Sequence, residues 1–143
     1  MTYTYDYPRA AVTADIVLFS SSENQDYVLL ILRKNPPFEG CWAFPGGFVE
    51  MDETLEASAL RELEEETGLK GIALKQFHTY GDPGRDPRHR TITIVFTGRC
   101  DGLPEVKGMD DASEAKWHPV GNIPPLGFDH NVILKDALKE YKA

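Results

Sequence analysis

The sequence predicts an α/β fold in which a mixed β-sheet lies between helices, as an α/β/α sandwich. Short apolar segments rich in β-branched residues alternate with turn residues, which is typical of strands. Two other segments space their apolar residues three to four positions apart, which is typical of amphipathic helices. A chain of 143 residues, 41% of them hydrophobic, can bury a core, so we expect residues 1–143 to form a single domain.

The individual elements follow along the chain. Residues 11–19 (AVTADIVLF) and 27–33 (YVLLILR) predict two strands, with a hairpin loop at the polar residues 20–26. A proline-rich loop at residues 35–40 precedes a short strand at residues 42–44, which runs into a Pro-Gly-Gly turn. The elements predicted after that turn are a helix at residues 54–67, strands at 72–80, 91–99 and 115–119, and a helix at 128–141 with Asp129 near its start.

The central helix has a defined start, buried face and end. Asp52 or Thr54 can cap its N-terminus. Gly68 is well placed to end it in a left-handed conformation. Its core-facing stripe is predicted to be Leu55, Ala59 and Leu63.

Three glutamates on this helix are its most informative feature. Glu62 and Glu66 are four residues apart and Glu65 is three from Glu62, so all three project from nearly the same face. Each like-charge pair at this spacing destabilises an isolated helix by roughly 0.2–0.5 kcal/mol. Carboxylates together with substrate phosphates are the usual ligands of Mg²⁺. The spacing therefore predicts a site for Mg²⁺ or Mn²⁺. Beside it, Arg61 lies eight residues after Glu53, which predicts an orienting ion pair.

These residues form one fixed register along the chain. It consists of Gly47, Glu53, Arg61-Glu62-Leu63, Glu65-Glu66 and Gly68-Leu69. The register resembles the Nudix box, the signature of enzymes that hydrolyse a nucleoside diphosphate linked to another group, and it matches at every specified position. The resemblance implies the α/β/α Nudix fold, a divalent cation held by the three glutamates, and catalytic roles for Glu53 and Arg61.

The segment before the box supplies further candidates. Gly46 and Gly47 let the backbone approach a ligand closely, and the resemblance implies that the carbonyl of Gly46 binds the metal and that Gly47 contacts substrate. Phe44 is a candidate to flank a base, with the core as the alternative place for its ring. Arg33 ends a strand that faces this region and is a candidate phosphate or base contact, with a solvated strand-end cation as the alternative.

The general base stays open at the level of sequence. The segment GMDDASEAKW contains three acidic residues just before Trp117. Asp111 lines up best with the loop acid of the mutator-type hydrolases that the box resembles. The other candidates are Asp110, Glu114 and, on the helix beside the metal, Glu65.

Two segments outside the box carry a less specific resemblance. Residues 81–93 (GDPGRDPRHRTIT) and 124–130 (PPLGFDH) resemble ADP-ribose pyrophosphatases and related Nudix domains that bind ADP-ribose. Arg85, Arg88 and Arg90 in the first segment predict a cationic cluster suited to a terminal ribose or a phosphate. The alternative is a turn-rich hairpin whose arginines are solvated.

We therefore favour hydrolysis of ADP-ribose to AMP and ribose 5-phosphate. Two alternatives remain, a house-cleaning nucleoside triphosphate pyrophosphatase of the 8-oxo-dGTP type and a non-catalytic ADP-ribose sensor. Because every box carboxylate is present, we expect an enzyme rather than a sensor.

The resemblance implies a nucleotide-type small molecule as the partner, and composition argues against other partners. A net charge of −8 argues against nonspecific nucleic-acid binding, and no apolar run is long enough to span a membrane. Two isolated cysteines and an N-terminus unlike a signal peptide predict a cytoplasmic protein. The oligomeric state stays open between a monomer and a homodimer.

Overall fold

A computed structural model describes residues 2–142. Seven strands and two helices follow one another along this part of the chain. They are β1 (Ala11–Ser22), β2 (Gln25–Arg33), β3 (Trp42–Ala43), β4 (Gly46–Phe48), α1 (Leu55–Thr67), β5 (Leu74–Tyr80), β6 (Thr91–Asp101), β7 (Ala112–Pro119) and α2 (His130–Tyr141). Neither helix is long and apolar enough to cross a membrane within the described residues.

The sheet is built around β1. This strand pairs in parallel with β6 along its length and forms an antiparallel hairpin with β2 at its C-terminal end. The strand order is β3-β2-β1-β6-β5, with β7 on the other edge of β2. Because one pair is parallel and the others are antiparallel, the prediction of a mixed sheet is confirmed.

Beyond their hairpin, β1 and β2 separate, and two short strands fill the gap between them. Thr13, Ala14 and Asp15 of β1 pair with β4, whereas Ile31 and Leu32 of β2 pair with β3. The loop expected before the box is thus partly wrong, because Gly46 and Gly47 belong to a strand. This pairing holds the glycine backbone beside the middle of the sheet.

The two helices cover opposite faces of the sheet, because alternate residues of β1 point to opposite sides. Buried contacts on the α1 side include Ile16, Leu18, Ala59 and Leu63. Buried contacts on the α2 side include Val17, Phe19, Ile133 and Ala137. The predicted α/β/α sandwich is therefore confirmed, and the predicted core stripe of α1 is buried or half-buried throughout.

Two predicted boundaries are wrong for local reasons. The hairpin loop at residues 20–26 is only a two-residue turn, because Glu23 and Asn24 adopt φ values of 51° and 64° that let the strands continue. The last helix begins at His130 rather than 128, because Phe128 has a φ of 54°. Asp129 precedes the helix without capping it through its side chain.

Candidate active site

A polar cavity of about 530 Å³ lies where α1, β4, the loop of residues 81–90 and the start of α2 meet. Its charged lining is dominated by carboxylates, with eight acidic residues and four arginines. These residues are Asp15, Arg33, Glu50, Arg61, Glu62, Glu65, Glu66, Arg85, Asp86, Arg88, Asp110 and Asp111. The helix carboxylates and the glycine strand thus meet in one cavity.

Helix α1 is positioned by its two ends. The Thr54 hydroxyl accepts a hydrogen bond from the Ala57 backbone N–H at 3.1 Å, which settles the N-cap in favour of Thr54 over Asp52. At the other end Gly68 adopts a φ of 80°, as predicted, and its N–H donates to the Glu64 carbonyl. With both ends held and one face buried, the face that carries the three glutamates is directed into the cavity.

Arg61 is the centre of an ion-pair network beside the cavity. It donates to Glu53 through Nε at 2.9 Å and Nη2 at 2.6 Å, and to Glu62 and Glu65 through Nη1 at 2.8 and 3.2 Å. These bonds to Arg61 hold the pKa of Glu53 down at about 2. The predicted ion pair is present. Glu53 is not among the residues that line the cavity and is bound to Arg61, so its predicted role stays a prediction, and these contacts favour the positioning of Arg61.

Glu66 is the most buried of the three glutamates, with 5% of its surface exposed. Its Oε1 accepts a 2.7 Å hydrogen bond from the N–H of Gly46. Burial, with the nearby negative charge of Glu62 and Asp15, nevertheless raises the pKa of Glu66 to about 8. Burial also raises the pKa of Glu62. This part of the cavity therefore holds more carboxylate than the protein neutralises.

The donors of this wall fit a hard divalent cation in chemistry, because they are carboxylate and carbonyl oxygens. A Cβ atom at position 47 would lie 2.5 Å from the Glu62 carboxylate, so the backbone of β4 runs directly beside this carboxylate. A Cβ atom at position 46 would lie 2.5 Å from the Ala14 carbonyl oxygen, so glycine is needed there. Among residues 2–142, no group of three or more acidic, histidine or cysteine side chains is already arranged around a common metal position. In the structure Arg61 pairs with one oxygen of Glu62 and one oxygen of Glu65.

The three loop arginines do not form the predicted cluster. The Arg85 side chain, 4% exposed, is committed to Asp129 through bonds of 2.6 and 2.9 Å. Arg90 is not among the residues lining the cavity and donates to the Gly81 carbonyl at 2.8 Å. Arg88 lines the cavity, with 38% of its side chain exposed. The expectation of three arginines at the cavity is therefore corrected for Arg90 alone, because Arg85 and Arg88 both line the cavity, each paired with an aspartate, and Arg88 is the more exposed of the two.

Two candidates from the strands have different outcomes. Arg33 lines the cavity, and its Nε donates to the Pro37 carbonyl at 2.7 Å. Phe44 is only 2% exposed and stacks on His130 with ring centroids 4.7 Å apart. The expectation that Phe44 flanks a base is corrected, because its ring belongs to the core and forms part of the cavity floor.

The structure places three of the four candidates for the general base at the cavity. Asp110 and Asp111 both line the cavity, as does Glu65 on α1. Glu114 lies in β7, paired with Leu32, and is exposed outside the cavity lining. Asp111, Asp110 and Glu65 remain as predicted candidates, whereas Glu114 is wrong for this role.

The sequence analysis missed a buried polar connection behind the cavity. Asp15 accepts a 2.6 Å hydrogen bond from the Thr93 hydroxyl, and its Oδ2 lies 3.8 Å from Nε2 of His130. Nδ1 of His130 accepts a hydrogen bond from the Phe44 N–H at 3.1 Å. Although burial acts to raise it, the pKa of Asp15 is lowered by His130 and Thr93. The available signal was an aspartate inside the apolar run of β1.

Two aromatic lining residues were also missed. Phe48 follows the two glycines of β4, and Phe128 lies in the segment PPLGFDH. The sequence signal for Phe48 was its position directly after the box glycine. An aromatic side chain directly after glycines whose backbone can approach a ligand is a candidate for contact with the substrate.

Comparison with known proteins yields consistent matches. The NUDIX domain matches residues 9–137. An ADP-ribose pyrophosphatase from Methanocaldococcus jannaschii is 44% identical over 133 residues, which is 93% of this chain and 76% of that protein. The ADPR responsive transcriptional repressor NtrR from Acinetobacter baylyi is 34% identical over 92% of this chain but only 54% of its own length. The NUDIX domain of Shewanella oneidensis NrtR, solved with ADP ribose, superposes with a TM-score of 0.89 at 33% identity and covers 96% of this chain and 94% of that one.

Proposed function

Since this chain belongs to the NUDIX family, we propose that it hydrolyses ADP-ribose to AMP and ribose 5-phosphate with the help of Mg²⁺ or Mn²⁺. The reaction adds water across the diphosphate. The oxygen of the water forms a bond to one phosphorus atom, the bond between that phosphorus and the bridging oxygen breaks, and the bridging oxygen leaves on the other phosphate. The two protons of the water are taken up by the two phosphate products or released to solvent. The similarity to an ADP-ribose pyrophosphatase and to a domain solved with ADP ribose supports the choice of substrate.

The observation that carries the proposal is the presence of clustered carboxylates and of arginines in the lining of one cavity. One wall presents Glu62, Glu65 and Glu66, and Arg33 and Arg88 also line the cavity. A diphosphate bound there interacts with the arginines directly. It is repelled by the glutamates unless a divalent cation lies between, which fits the raised pKa of Glu66.

The metal ligands we propose are Glu62, Glu65, Glu66 and the Gly46 carbonyl. When bound, the cation supplies neutralisation of the diphosphate and activation of water. The protein itself holds Glu66 in place through the Gly46 N–H and orients the other two glutamates through Arg61. We propose that Asp111 accepts the proton of the attacking water, with Glu65 as the alternative base.

A substrate panel tests the proposal. We expect kcat/KM for ADP-ribose to exceed that for 8-oxo-dGTP by at least roughly tenfold, or about 1.4 kcal/mol in transition-state binding. The assay separates AMP and ribose 5-phosphate from monophosphate and pyrophosphate products by chromatography. If 8-oxo-dGTP or another triphosphate is the better substrate, the choice of ADP-ribose is wrong while the reaction class stands.

A sensor that binds ADP-ribose without hydrolysing it is the second candidate, favoured by the similarity to the A. baylyi repressor. Calorimetric binding of ADP-ribose in the presence of Mg²⁺, without appearance of AMP over hours, would support the sensor and contradict the enzyme.

A further inference from the structure

We propose that Phe48 and Phe128, with Arg88 positioned over both rings, form the surface that binds the purine base of the substrate. This inference rests on the proposed function, because it assigns one part of a nucleoside diphosphate substrate to one part of the cavity. It makes Phe48 and Phe128 specificity-determining residues that select the base, separate from the groups that act on the diphosphate.

Phe48 is exposed where a large apolar side chain is unexpected. It lines a cavity whose other walls are mainly charged, yet 45% of its surface is open to solvent. The ring cannot be explained by core packing, and an apolar ring left open in a polar cavity favours a planar ligand that covers it. Its neighbour Gly47 lies against the Glu62 carboxylate. A base on Phe48 is therefore adjacent to the proposed diphosphate site, as the short ribose link in a nucleoside 5′-diphosphate requires.

Arg88 is held rigidly above this ring. Its Nε and Nη2 donate to the two oxygens of Asp86 at 3.0 and 2.7 Å, and its backbone N–H donates to Asp86 at 3.0 Å. Asp86 is itself buried, and its bonds from Arg88 keep its pKa down at about 2 despite burial. The guanidinium carbon lies 5.4 Å from the Phe48 ring centroid and 5.9 Å from that of Phe128. A planar cation placed at two aromatic rings is suited to stack on a third aromatic system.

Phe128 is the second fixed ring. Its backbone has a φ of 54°, and its ring contacts Phe38 and His130 with centroid distances of 4.8 and 5.3 Å. Arg33 lies over the ring at 5.0 Å. The ring is thus supported from behind by two aromatic side chains while it still lines the cavity. Phe44, the remaining phenylalanine of the lining, is buried, so Phe48 and Phe128 are the lining phenylalanines that are at least partly accessible to a base among the described residues.

The test compares two substrates that differ in the base alone, ADP-ribose and UDP-ribose, because a purine stacks more strongly than uracil. In Phe48→Leu and Phe128→Leu we expect KM for ADP-ribose to rise roughly 5- to 100-fold, the range of one lost base–aromatic stack. KM for UDP-ribose is expected to rise by a smaller factor, and kcat for both by less than about twofold. The ratio of the two kcat/KM values therefore falls toward unity.

Phe38→Leu is the matched control, since Phe38 is a partly exposed phenylalanine that contacts Phe128 without lining the cavity. We expect it to leave the substrate ratio unchanged. If Phe38→Leu lowers the ratio as much as Phe128→Leu, or if both substrates lose equally in all variants, the rings only support the cavity wall and the base assignment is wrong.

A binding measurement on the unmutated protein separates this inference from the proposed function. AMP is titrated into the protein, and contacts are read from NOEs between adenine H2 or H8 and the ring protons of selectively labelled phenylalanines. We expect NOEs to Phe48 and Phe128. If ADP-ribose is hydrolysed but AMP shows no NOE to either ring, the base surface lies elsewhere. If these NOEs are seen but ADP-ribose is not hydrolysed, the base surface stands and the proposed function fails.

Discussion

Phe128 is shared by two concave surfaces that differ in size and in charge. On one side lies the 530 Å³ cavity with its excess of carboxylates. On the other, a groove of about 900 Å³ follows α2, with an apolar floor and three lysines. None of the lining residues that the structure describes for this groove is acidic. The lysines are Lys135, Lys139 and Lys142.

The two surfaces differ in how much their charged groups lower the stability of the folded protein. The lysines are on the helix surface, where water screens them and a like-charge pair costs only roughly 0.2–0.5 kcal/mol. Glu66 is buried among other carboxylates, and its pKa rises to about 8 as a result. A carboxyl that is buried where its ionisation is unfavourable lowers the stability of the fold, and such perturbed groups cluster at functional sites, whereas solvated lysines need no functional explanation. We therefore assign the proposed activity to the smaller cavity, although the groove is larger.

Removal of divalent cations should have the largest effect on the acidic cavity. The carboxylates repel a diphosphate without a cation, and the lost charge stabilisation of several kcal/mol corresponds to at least about a 1000-fold fall in turnover. ADP-ribose hydrolysis is measured in excess EDTA and again after Mg²⁺ is restored. Full activity in EDTA would show that the carboxylates serve no metal.

Glu66→Gln should lower turnover by roughly 100- to 1000-fold while the fold survives. Without metal, the folded protein keeps a proton on Glu66 that the unfolded chain releases above about pH 4.3. Because the folded pKa is raised, stability falls as pH rises from there to about 8. The Gln variant lacks this loss.

The control for that variant is therefore thermal unfolding without metal at two pH values. We expect Glu66→Gln to gain melting temperature relative to the unmutated protein at pH 8 and to gain less at pH 5. Equal turnover in the two proteins at saturating Mg²⁺ would remove Glu66 from the proposed ligands.

Asp111→Asn should lower kcat by roughly 100-fold with little change in KM, because contact with the attacking water matters in the transition state. Steady-state kinetics at saturating Mg²⁺ measures the effect, with Asp110→Asn as the matched neighbour. A nearly silent Asp111→Asn beside a damaging Glu65→Gln would place the base on α1.

Arg88→Ala should raise KM for ADP-ribose by roughly 10- to 100-fold, since a lost charged contact costs about 1.5–3 kcal/mol. Arg90→Ala is the matched control from the same loop, and it should leave KM unchanged because Arg90 points away from the cavity lining. If the two variants raise KM for ADP-ribose equally, Arg90 also contributes to binding, as the arginine cluster expected from the sequence requires.

The smallest effect is expected in the groove. Lys135→Gln combined with Lys139→Gln should change kcat/KM for ADP-ribose by less than about twofold, since these solvated charges are screened over a Debye length of about 10 Å at 0.1 M salt. The measurement is repeated at low and high ionic strength. A tenfold fall in kcat/KM at moderate salt would mean that the groove takes part in binding ADP-ribose. The acidic cavity would then not be the sole binding surface of the two.

Features determined by neighbours in sequence were predictable. Helix α1 was correctly predicted because its cap, its stripe and Gly68 all lie within fifteen residues of one another. The pairing of Arg61 with Glu53 followed from spacing for the same reason.

The partners and the exposure of the loop arginines were not predictable from the sequence of the loop. Arg85 is bound to Asp129, 44 residues away, and is buried by that contact. Arg88 is bound to Asp86, two residues away, and remains at the cavity. Identical side chains in one loop thus differ because the fold brings different acceptors to each, which composition and spacing do not encode. The same holds for Phe44, whose burial depends on α2.

The hydrogen bond from the Phe44 amide to His130 joins the segment just before Gly46 to the first residue of α2. Since His130 also faces Asp15 at the middle of β1, we expect these three segments to open to solvent together. The exchange rate of the Phe44 amide with deuterium thus reports how often α2 leaves the sheet. Any event that loosens the C-terminal helix, such as a truncation, then loosens the glycine strand as well, so the integrity of the catalytic wall is tied to the far end of the chain.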